Sequence, residues 1–172
     1  TTDGQLIWLN PGHSGGALYL AAELARAGRQ GERTICQLTT ASHVSRLTGP
    51  ATVRVFLRSR ASLAVLPASH LHQCHRQLDA LLPGQFGRAE SVLEADLANL
   101  NAILHPPGMV CNAGWIQATA GKFGFYAEGS GPAVARVMDA IDAERLALAR
   151  ALGARAVPFA ELFHQFGFTT GG

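Results

Sequence analysis

Three clusters of side chains in this sequence could do chemistry, each of a different kind. The first is Asn101-Ala102-Ile103-Leu104-His105-Pro106-Pro107. Residues four apart share one face of a helix, so Asn101 and His105 would stand together. Pro106-Pro107 disfavours helix at the residue before it, which puts the imidazole at a helix end or kink. Histidine is the side chain best suited to exchange a proton near neutral pH. An asparagine one turn away can orient a ring nitrogen or a shared substrate oxygen. A partly buried histidine at a helix end would read the same, so the residues alone leave both options open.

The second cluster, Gly12-His13-Ser14-Gly15-Gly16, has the G-x-S-x-G pattern of a nucleophile elbow, in which a strained turn exposes a serine for attack on an ester. Only 13 residues precede Ser14, too few for the strands and oxyanion loop of such a hydrolase. A tight strand-to-helix turn gives the same pattern, because its glycines let backbones approach closely. The helix it opens could face an anionic cofactor or substrate group. The third cluster is His70-Leu71-His72-Gln73-Cys74-His75. His72 and His75 are spaced to share a metal on a helix. The cluster wraps around the helix instead of converging, so it reads as a solvated face with no metal. His13, His43 and His164 read as structural or surface histidines.

The elements that must carry these groups follow from periodicity. Gln5 to Leu9 reads as a buried strand, Gly12 to Gly16 as a turn, and Ala17 to Ala27 as a helix capped by Gly28. Thr34 to Leu38 is a second strand. Val53 to Leu57 and Leu63 to Leu66 read as outer strands, paired in a hairpin around Arg58 to Ser62. His70 to Leu82 is helical and stops at Pro83-Gly84. From there helical patterns dominate, over Ser91 to Leu104, Val110 to Ala118 and Ala133 to Leu152. The last starts at Ser130-Gly131-Pro132, with Ser130 as N-cap and Pro132 in the first turn. Phe125-Tyr126-Ala127-Glu128-Gly129 reads as its entry loop, and Asp142-Ala143-Glu144-Arg145 as charges on its solvent side. The domain boundary falls between Pro83 and Ala89.

Composition narrows the class. The chain has 172 residues, 48% of them apolar and 15% charged, so it folds. The net charge is +2 with no basic block, which argues against a nucleic-acid surface. No apolar run approaches the roughly 20 residues that span a bilayer. Thr1-Thr2-Asp3-Gly4 lacks the basic flank of a signal peptide. Cys36, Cys74 and Cys111 are scattered and odd in number, which fits a reduced cytoplasmic interior. A start on one strand and a close on Thr169-Thr170-Gly171-Gly172 suggest a fragment whose core needs a missing segment or self-association.

Taken in order, several of these segments resemble one family. Asp3-Gly4-Gln5-Leu6-Ile7, Asn10-Pro11-Gly12 and Gly15-Gly16-Ala17-Leu18 resemble the last part of the nucleotide-binding domain of octopine/nopaline (opine) dehydrogenases. Asn101-x-x-x-His105-Pro106, Asn112-Ala113, Phe125-Tyr126-x-Glu128-Gly129 and Asp142-Ala143-Glu144-Arg145 resemble the start of that family's helical domain. The resemblance implies an α/β unit followed by an all-α one. Residues 1–86 would be the C-terminal part of a Rossmann-type NAD(P)-binding domain. Residues 87–172 would be the N-terminal part of a helical catalytic and dimerisation domain. It also implies NAD or NADP as cofactor, and reductive condensation of an amino acid with a 2-oxo acid by a homodimer. By motif, His105 becomes the catalytic histidine and Asn101 positions the substrate. Asn10, Pro11, Gly12, Gly15 and Gly16 would touch the cofactor, and Asn112 and Tyr126 the substrate. The G-x-G-x-x-G dinucleotide fingerprint is absent, and the acidic partner of the histidine is expected beyond Gly172. Three other functions remain: a related reductase of small 2-oxo or 3-hydroxy acids, an esterase with Ser14 as nucleophile, and a non-catalytic remnant acting as a binding module.

Overall fold

The computed structural model describes residues 5–29 and 33–169. The opening Thr1–Gly4 and closing Thr170–Gly172, read above as chain ends, lie outside the described residues. The chain runs β1 (Leu6–Leu9), α1 (Gly16–Arg26), β2 (Thr34–Leu38), β3 (His43–Gly49), β4 (Thr52–Arg58), β5 (Ser62–Leu66), α2 (Leu71–Leu81), β6 (Gly87–Arg88) and α3 (Val92–Leu97). Then come α4 (Asn101–Val110), α5 (Ala113–Thr119), α6 (Pro132–Ala151) and α7 (Phe159–Gln165).

The main sheet has the order β1-β2-β5-β6. β2 is central, parallel to β1 and antiparallel to β5, and its last four residues are all buried. Alternation along β2 and β5 feeds two cores. Cys36, Leu38, Leu63 and Val65 meet Cys74 and Leu78 of α2. Ile35 and Ala64 meet Ala17 of α1 and Val92 and Ala95 of α3 on the other face. The result is a sheet between helices, followed by helices alone, as the hydrophobic periods imply. α3 lies past the expected boundary in sequence, yet it packs on the sheet. The helical segment has its own clusters, Ile103 of α4 with Val134 and Met138 of α6, and Ala98 and Leu100 with Leu162 and Phe166 around α7.

Four local expectations give way. β4 pairs with β3, and no hairpin joins it to β5. The turn sits at Gly49-Pro50-Ala51, and register shifts at Val44/Ser45 and Leu47/Gly49 break the alternation that would have marked β3. This ribbon leaves Leu47, Val53, Val55 and Phe56 exposed. The expected helix over Ser91 to Leu104 is two helices, because Ala98 closes α3 and Leu100 opens α4. Ser91 caps α3 by accepting from the Glu94 amide at 3.1 Å. Pro106 and Pro107 lie inside α4 instead of ending it. Both lack the N–H that would bond the carbonyls of Ala102 and Ile103. Burial overrides the local preference: Ile103 is 1% exposed against α6, and Pro107 is buried. Gly131, not Ser130, is the N-cap of α6, with Pro132 in its first turn. The Ser130 hydroxyl is buried and finds no hydrogen-bond partner among the described residues.

The cysteines differ sharply. Cys36 and Cys74 are buried and Cys111 is exposed. Burial, then the neighbouring Cys74, pushes the Cys36 thiol up to about 12. Thiolate, not thiol, is the reactive form. Titrating the native chain with a thiol-reactive chromophore should label Cys111 alone, and all three once it is unfolded. A second thiol reacting at the rate of Cys111 in the native chain would contradict this packing.

Candidate active site

The turn between β1 and α1 is shaped around one side chain of β2. A Cβ on Gly12 would lie 2.2 Å from Gln37 Oε1, so only glycine fits there. His13 and Gly15 take positive φ, 55° and 82°, to bring the chain round. Ser14, the nucleophile of the esterase reading, lies between them and is not itself in the left-handed region. Its Oγ accepts from Asn99 Nδ2 at 3.3 Å, and among the described residues no histidine hydrogen-bonds it. The arrangement lacks the base a serine nucleophile needs. Asn10 fixes the other side of the turn, donating to Ser42 Oγ at 2.8 Å and accepting from the Ser42 amide at 2.9 Å.

Beneath the turn, Gln37 Oε1 accepts from the Ala17 amide at 3.0 Å. Gln37 Nε2 donates to Asp96 Oδ1 at 2.6 Å and to the His13 carbonyl at 3.4 Å. Asp96, on α3, also accepts from the backbone of Gly15. The Ala17 amide in the first turn of α1 therefore points at a protein side chain, the Gly16 amide reaches the His13 carbonyl, and the negative group at this helix N-terminus is Asp96 itself. Burial raises the Asp96 carboxyl above its ordinary 3.8, against the lowering effect of Gln37 and Gly15. The folded state thus binds this proton more tightly than the unfolded chain does. Stability should rise as pH falls from neutral through the raised value, with the gain complete below 3.8. Urea midpoints of the wild type minus those of Asp96→Asn should grow as pH is lowered from 7 toward 4. A difference that shrinks would contradict the assignment.

Above the turn opens a cleft of about 460 Å³. Ser14, Asp96 and Asn99 form one side, Ala102 and Ile103 of α4 the floor, and Ile141, Glu144 and Leu148 of α6 the far wall. Asn101 and His105 are not among its lining residues. At 100° per residue, His105 stands about a third of a turn round α4 from the lining face. Its half-buried imidazole packs against Phe125 and Tyr126, with ring centroids 5.8 and 6.4 Å away. Gly108, the next turn of α4, makes room for Phe125, because a Cβ there would come within 2.5 Å of its ring. Asn101 is exposed, and its amide donates to Asn99 Oδ1 at 3.1 Å. Asn112 is buried, and its Nδ2 donates to the carbonyls of Gly108 and Gly129 at 2.8 Å each. This ties the loop bearing Phe125 and Tyr126 to α4.

Asp142 and Arg145 do not face solvent as expected. Asp142 is buried, with Oδ1 accepting from Arg145 Nε at 2.8 Å and Oδ2 from the Phe159 amide at 2.8 Å. Arg145 also donates to the carbonyls of Leu97 and Val157. The pair therefore ties α6 to the end of α3 and the start of α7. The His70–His75 cluster divides among separate partners: His70 with Thr34, His72 with Arg88, and His75 with the Phe86 carbonyl.

Sequence reasoning passed over Gln37, Asp96 and Asn99. The available signal was polarity out of place. Gln37 interrupts the apolar run of β2, and Asp96 sits where the stripe through Val92 and Ile103 calls for an apolar residue.

Residues 88–167 match the family described as NAD/NADP octopine/nopaline dehydrogenase, alpha-helical domain. An opine dehydrogenase of Arthrobacter sp. (strain 1C) is 35% identical over 151 residues, covering 87% of this chain and 41% of the relative. Among solved structures, NADP+-bound yersinopine dehydrogenase superposes with a TM-score of 0.79 at 15% identity, over 95% of this chain and 42% of its own. Its apo form gives 0.76 at 16%, over 92% and 40%. At these identities the structures show a shared fold. The chain spans about two fifths of each relative's length.

Proposed function

We propose, from the match of residues 88–167 to the alpha-helical domain of the NAD/NADP octopine/nopaline dehydrogenase family, that this chain serves an NAD(P)-dependent oxidoreductase of the opine dehydrogenase type. Its reaction condenses the amine of an amino acid with the carbonyl of a 2-oxo acid and reduces the resulting imine. The observation that carries this reading is His105, half-buried against the adjoining rings of Phe125 and Tyr126, on the helix whose neighbouring face floors the cleft. The relatives and their folds supply the cofactor class.

The chain fits part of a dinucleotide. Of the turn residues assigned to the cofactor, Asn10 is engaged by Ser42, Gly12 packs on Gln37, and the Gly15 amide bonds Asp96. The Ala17 amide is likewise spent on Gln37. A diphosphate needs donors other than these. The outward edge of Pro11 to Gly16, with the Ser14 hydroxyl beside the Asn99 amide, suits the dihydronicotinamide riboside end of the reduced cofactor, which carries no charge, over a largely apolar cleft. The nicotinamide, when bound, supplies the hydride. His105 offers a proton to the carbonyl or imine, and exposed Asn101 and Tyr126 border the substrate. Asn112 acts from behind, by holding the loop that carries Tyr126.

No helix among the described residues is long and apolar enough to cross a membrane. A cytoplasmic setting and a homodimer complete the proposal, the latter supported by the exposed apolar side chains of the β3–β4 ribbon. The test is NADH and NADPH fluorescence on the protein from its source, with pyruvate, an amino-acid mixture, or both. Cofactor oxidation that needs both substrates supports the reading. Oxidation that ignores the amino acid would favour a plain 2-oxo acid reductase, and failure to bind either nucleotide would end it.

A further inference from the structure

We infer that Gln37 and Asp96 are positioning residues, which set the glycine turn and place the Ser14 hydroxyl at the mouth of the cleft. Three observations carry this. The turn is moulded on Gln37, since Gly12 has no space for a Cβ beside that amide. The two side chains satisfy the turn from below at three points: the Ala17 amide on Gln37 Oε1, the His13 carbonyl on Gln37 Nε2, and the Gly15 amide on Asp96. They also join each other at 2.6 Å across 59 residues of sequence, linking the central strand to the first helix of the helical segment. Ser14 lies between the fixed points His13 and Gly15, and Asn99 reaches it from three residues beyond Asp96. A buried amide and a buried carboxylate are costly in a core unless fully bonded. Here every polar atom named has a partner, and the partners are the turn.

The hydrogen-bond pattern can be inverted, and this gives a test that separates positioning from bulk packing. In Gln37→Glu two carboxylates face each other. In Asp96→Asn the Gly15 and Gln37 donors compete for one carbonyl oxygen. In the double variant, the carboxylate introduced on β2 can accept from the Ala17 amide and from the side-chain amide introduced on α3, and only the long 3.4 Å contact to the His13 carbonyl is left without its donor. The oxygen of that introduced amide then accepts from Gly15.

Amide hydrogen exchange at pH 7 on the whole chain, followed by NMR, reads the turn directly. Each single variant should speed exchange at Gly15 and Ala17 by about tenfold or more, and the double variant should return it to near wild type. Amides of β5 serve as the control for global stability. Unchanged exchange in the single variants, or a double variant no better than the worse single one, overturns the inference. The ligand that meets the turn rests on the dehydrogenase reading, and NADPH titration tests that separately. If wild type binds NADPH, its affinity should fall in the single variants and recover in the double. If wild type does not bind it, the dehydrogenase reading fails and the exchange result still decides the role of Gln37 and Asp96.

Discussion

Replacing Asp142 with alanine is expected to lower the free energy of unfolding by roughly 3–5 kcal/mol, the usual cost of breaking a buried ion pair from one side. The side chains of Asp142 and Arg145 are 11% and 9% exposed. The carboxylate receives two guanidinium N–H groups and the amide that opens α7. Without it, Arg145 keeps its carbonyl partners Leu97 and Val157 but has no counter-charge. Three elements lose their common tie at once: α6, the end of α3 and the start of α7. Urea denaturation measures the change. A loss below about 1 kcal/mol would mean that water reaches the guanidinium freely. Changing both partners, as in Asp142→Leu with Arg145→Met, should recover much of the loss, because no unpaired charge then remains.

The second large effect concerns activity. If the dehydrogenase reading holds, His105→Ala should lower kcat/KM for substrate-dependent NAD(P)H oxidation by about 10²–10⁴, the range for losing a general acid. The fold should survive, because the imidazole is only half-buried and its packing partners are two rings of one loop. A circular dichroism spectrum like that of wild type, with nicotinamide affinity within a few fold, would place the loss in the proton transfer. Full activity in His105→Ala would remove the histidine from the mechanism. His105→Gln keeps a polar group of similar reach, so activity close to wild type there would assign hydrogen bonding, and not acidity, as the role.

The order of elements was legible because burial in this chain is periodic. After Thr34, β2 is buried throughout and apolar apart from Gln37, and α6 has a helical stripe closed by Gly153. Residue spacing singled out His105 and the Gly12–Gly16 turn as candidates, and the family resemblance added Tyr126 of the loop before α6. What escaped depended on contacts distant in sequence. β3 was hidden by two register shifts, and its pairing with β4 by the competing apolar run of β5. The burial of Asp142 was hidden because a charged residue beside Glu144 on a long helix ordinarily faces water. Only the arrival of α7 turns that position inward. Asp96 and Gln37 each looked like a blemish in an apolar pattern, and they become a pair only once the sheet meets α3.

The two prolines inside α4 bear on when this region acquires its shape. With Pro106 and Pro107 withholding two backbone donors and Gly108 following, α4 has little local reason to be helical. It borrows its form from Val134 and Met138 of α6. A peptide spanning residues 99–112 should therefore be coil by circular dichroism, and a helical spectrum would refute this. On a ribosome the sheet could assemble early, as its strands emerge. The histidine segment would have to wait until the chain from the end of α4 through Met138 of α6 had cleared the exit tunnel, so synthesis itself would hold back the part of the chain assigned to chemistry.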